Sequence, residues 1–141
     1  MANDVAGIKS SMKTLLEAVE GIDHVYDYGI KEITKYTSCD IWWDGVEEFI
    51  PETTHTYKVG WRFEVTVYIK IMDRKTADTK LQTVLFNVYN KFWNNPDLGM
   101  PNYVDSHSLL RTTNGINPSF KTPHVAANIP IIVYTEETRT G

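Results

Sequence analysis

Seven apolar side chains recur at every second position across one segment: Val59, Trp61, Phe63, Val65, Val67, Ile69 and Ile71. Between them stand Gly60, Arg62, Glu64, Thr66, Tyr68 and Lys70, so the intervening positions are largely polar. Adjacent side chains of a strand point to opposite faces, so a sustained period of two means one long strand with a buried face and a wet or interfacial face. Such a strand cannot shield its apolar face alone. It needs a sheet around it and a second layer against it.

Two other segments carry helical spacing. From Val5 to about Glu20, Ile8, Met12, Leu15, Leu16 and Val19 line one side, with Asp4 placed to cap the start and Gly21 just past the end. From Thr76 to Phe92, Ala77, Leu81, Val84, Leu85, Val88 and Phe92 do the same, and Asn94-Asn95-Pro96-Asp97 ends the run. Two further strands are expected, at about Tyr103–Thr112 and His124–Tyr134. Pro130 has no amide proton, which points to a sheet edge or a bulge for the latter, and the polar stretch Thr135–Gly141 reads as a fraying tail.

The stretch between the first helix and the long strand is less regular. Val25–Tyr28 and Ile41–Trp43 read as short strands, the second closed by an Asp44-Gly45 turn. Val46–Tyr57 holds neither period, so residues 44–57 are expected to form a flexible arm. The sum is one α+β domain over residues 1–141, a mostly antiparallel sheet with two helices packed on one face.

Composition narrows the function classes. Lys and Arg number 14 against 18 Asp and Glu, a formal charge of 14 − 18 = −4, which argues against a general grip on nucleic acid. With 42% hydrophobic and 23% charged residues the chain is an ordinary folded domain rather than a disordered or repetitive one. No apolar run is long enough to cross a bilayer, and Met1-Ala2-Asn3-Asp4 does not resemble a signal peptide, so synthesis in a cytoplasm is expected. Cys39 is the single cysteine and has no internal partner.

Catalytic patterns are missing. Gly99 and Gly115 stand apart from any phosphate-binding loop, and His24, His55, His107 and His124 lack metal-ligand spacing, reading as surface histidines. Cys39 reads as a half-buried residue at a strand start rather than a nucleophile. The neighbouring pairs Glu47-Glu48 and Glu136-Glu137 diverge and read as solvated. Neither catalytic residue nor cofactor nor metal is expected. Trp42 and Trp43 must point to opposite faces of their strand, which leaves one indole for the core and the other for a partner. With Glu47, Glu48 and Phe49 nearby, and with Arg62, Glu64, Tyr68 and Lys70 on the polar face of the long strand, they are the candidate interface residues.

The order of elements resembles the tail terminator, or tail-completion, proteins of long-tailed bacteriophages, the lambda-like family. The resemblance covers most of the chain and rests on four segments: the helix Ile8–Val19, the strand Trp61–Ile69, the helix Leu81–Phe92 with Asn94-Asn95-Pro96-Asp97-Leu98, and Ala126–Tyr134. It implies a virion protein, made in the host cytoplasm, that forms a hexameric ring of identical subunits at the head-proximal end of the tail. The ring would stop polymerisation of the tail-tube protein and offer a docking face to a head-completion or neck protein. DNA would pass through without specific binding, and no membrane would be involved. Two other readings stand beside it: another neck protein, such as a head-closure or adaptor component, and a small α+β ligand-binding domain or enzyme with a pocket between helices and sheet.

Overall fold

A computed structural model describes residues 5–27, 37–100, 104–110, 113–117 and 124–138. The alternating segment lies in β3 (Thr56–Lys70), which sits between β2 (Thr37–Pro51) and β6 (His124–Thr138), antiparallel to both. β1 (His24–Tyr26) runs parallel to β2 at one side of the sheet. At the other side β4 (Val104–Leu109) and β5 (Thr113–Asn117) pair in succession with β6. Two helices complete the domain, α1 (Val5–Glu17) and α2 (Arg74–Trp93). α1 packs on β1 and β2, α2 packs on β3 and β6, and the helices touch each other. The expected α+β architecture is the observed one.

Register explains the core. Phe63 pairs with Ile131, Val65 with Ile41 and Ile129, and Val67 with Cys39 and Ala127, so the odd positions of β3 and β6 make one continuous apolar face. Ile8, Met12 and Leu16 of α1 and Ala77, Leu81, Val84, Val88 and Phe92 of α2 close over it. α2 starts at Asp73, whose carboxylate accepts from the Thr76 amide at 3.1 Å and its hydroxyl at 2.7 Å, satisfying donors that the first turn leaves without partners.

Five expectations need correction. Residues 44–51 and 56–57 are strand, the outer half of a long β2–β3 hairpin, and the chain reverses only at residues 52–55. Asp44 and Glu47 are extra residues in β2, flanked by the pairs Trp43–Phe63, Gly45–Arg62, Val46–Trp61 and Glu48–Gly60. Each bulge shifts the alternation, which is why no period survives in the sequence. Gly45, with φ of +105°, belongs to the first bulge rather than to a turn. The actual turn is built by Thr53, whose hydroxyl accepts from the amides of His55 at 3.1 Å and Thr56 at 2.9 Å.

The expected tail also begins later. Thr135–Thr138 remain in β6, paired with Thr56–Val59, and Thr135 and Glu137 are buried. Pro130 lies in an interior strand, not at an edge. Its carbonyl accepts from the Leu110 amide at 2.9 Å, so its nitrogen faces the side where the β4 pairing ends and the β5 pairing has not begun. The missing donor therefore falls in a gap and costs the β3–β6 ladder nothing. Finally, the strand expected over Tyr103–Thr112 is β4 alone, with β5 separate. Tyr103, Arg111, Thr112, the Asp4 cap, Tyr28 and residues 139–141 lie outside the described residues.

Candidate assembly interface

β2 changes character half-way along. Thr37–Ile41 are all buried, whereas nearly every residue from Trp42 to Pro51 is exposed. β1 pairs only with Ser38–Asp40, so among the described residues the outer edge of β2 beyond Ile41 has no neighbouring strand. Five large apolar side chains sit on that free edge: Trp42, Trp43, Val46, Phe49 and Ile50.

The bulges sort these side chains onto two faces. Trp43, Val46 and Phe49 oppose Phe63, Trp61 and Val59, so they share the helix-bearing face. They form a stripe beside inward-lying aromatics, with Phe49 stacked on Tyr57 at 4.7 Å between ring centroids and Trp43 tilted against Trp61 at 6.4 Å. The Trp43 indole donates to the Gly45 carbonyl at 2.9 Å, and the Trp61 indole to the Thr135 hydroxyl at 2.8 Å. Trp42 opposes Glu64 on the other face. The expectation that one of the two tryptophans is buried fails: Trp42 is 45% and Trp43 43% exposed.

The opposite face carries the charge. The Arg62 guanidinium stands 3.3 Å from Asp44, 3.4 Å from Glu47 and 3.6 Å from Glu64, one cation shared by three carboxylates. Glu48 approaches the Tyr134 hydroxyl; burial, with this carboxylate beside it, raises the phenol above its usual value. Gly60 makes room for that packing: a Cβ there would stand 3.0 Å from Ile132 Cγ2, 3.2 Å from Tyr134 Cε1 and 3.4 Å from Glu48 Cβ. Lys58 reaches across to Asp105 at 2.8 Å. Lys70 is half-buried at the far end of β3.

Tyr68 is not an exposed contact. It is only 7% exposed and its hydroxyl donates to Asp40 at 3.1 Å; burial, then the Asp40 carboxylate, pushes the phenol well above its ordinary range. Asp40 reaches it from β2, 28 positions away in sequence, so no local pattern announces the pair. Cys39 is fully buried, and burial followed by Asp40 holds its thiol protonated, the reverse of a nucleophile's setting. His24 and His55 are exposed, but His124 is buried, against the surface reading. Glu137 is likewise buried, unlike Glu136.

A second apolar surface went unnoticed in the sequence. Phe86 is 66% and Trp93 81% exposed, seven residues apart on the outer side of α2. They fall outside the stripe that faces the sheet, and that surplus of large apolar residues on a helix was the available signal. Met72, just before α2, is also exposed.

Among the described residues no group of three or more His, Cys, Asp or Glu is arranged to hold a metal, and no helix is long and apolar enough to cross a membrane. Open grooves among the described residues accompany the helices. One of about 280 Å³ lies between the end of α1 and the second half of α2, lined by Glu20, Asn87, Asn90 and Asn94 among others. Another, about 210 Å³, lies beside His24. Neither is a closed apolar chamber of the kind that binds small molecules. No family model matches this chain, and no curated protein matches it.

Proposed function

We propose that this protein is a structural, ring-forming subunit of the tail-terminator kind: it assembles with copies of itself at the end of a phage tail tube, halts tube growth and presents a surface to a neck protein. The observation that carries this reading is the free outer half of β2. A row of five large apolar side chains on an unpaired edge is a liability that folded monomers avoid, and it becomes useful only when something covers it. The acidic balance of the chain suits a conduit that DNA crosses without being held.

The test is location and mass. Gold-labelled antibody against the chain should mark a single collar at the head-proximal end of purified phage tails, and cross-linked collars should contain a multiple of one subunit mass. Virions that lack the protein, or a label spread along the tube, would refute the proposal. A label on the head side of the collar, out of contact with the last ring of tube subunits, would instead assign the chain to another neck component.

A further inference from the structure

We draw no further inference here: the strongest candidate, the Trp43–Val46–Phe49 stripe on the outer half of β2, is an unpartnered apolar face, and nothing in the structure shows what covers it.

Discussion

The two halves of the β2–β3 hairpin are built from the same strands and read almost like different proteins. In the half beneath the helices Thr37–Ile41 are all buried, and on the helix-bearing face Cys39, Ile41, Val65, Val67 and Ile69 lie in the core that α1 and α2 close over. In the other half β2 keeps its ladder to β3 through Pro51 yet loses its cover, and its apolar side chains face solvent. Backbone pairing is thus continuous while burial is not. The covered half supplies the free energy of folding. The open half leaves apolar surface in solvent and is held by the ladder, the Thr53 turn and the Arg62 ion pairs.

The sharpest way to break this contrast is to compare truncations in the two halves. Phe63→Ala, which empties a fully buried site between β2 and β6, should cost about 3–5 kcal/mol in urea denaturation. Gly60→Ala tests whether the open half is nevertheless tightly built. The new methyl would stand 3.0–3.4 Å from side-chain atoms of Ile132, Tyr134 and Glu48, which must give way by a few tenths of an ångström, so a loss of about 1–3 kcal/mol is expected. A neutral Gly60→Ala would mean the open half is loose enough to yield. Phe49→Ala should cost no more than about 1.5 kcal/mol of folding, the size of an aromatic pair contact with Tyr57, and should impair self-association instead. Equal damage to folding and association would erase the distinction between the halves.

Legibility in the sequence follows the same division. The central strand was readable because no bulge interrupts Val59–Ile69 and its odd side chains all meet one apolar layer. Both helices were readable because a stripe at helical spacing survives in each. The outer half of β2 was not, since two inserted residues scramble its alternation and a bulge glycine imitates a hairpin turn. Long-range burial was equally hidden. Tyr68 and Glu137 look like solvated side chains in their own segments, yet both are buried, Tyr68 bonded to Asp40 of β2 and Glu137 paired opposite Tyr57 of β3. Of the candidate interface residues, Trp42, Trp43, Glu47, Glu48 and Phe49 do lie together on the free edge. Phe86 and Trp93 fall outside the apolar stripe of α2, so the helical spacing that marks the core says nothing of them.

The smallest expected effect sits on the covered side, at the cap of α2. Hydrogen bonds from the Thr76 hydroxyl and amide hold the Asp73 carboxyl below its ordinary value. A carboxylate with a lowered folded value adds stability that is present above the unfolded value, near 3.9, and is lost as pH falls through the lower folded one. Thermal unfolding of the wild type should therefore include a small acid-side loss that Asp73→Ala removes, with the variant slightly less stable at neutral pH and level with the wild type once Asp73 is protonated. Because Asp73 lies at the start of α2, on an element that seals the covered half, self-association at neutral pH should not change. If Asp73→Ala weakened association as strongly as Phe49→Ala, the covered and open halves would be acting as one cooperative unit, and the division of labour between them would have to be abandoned.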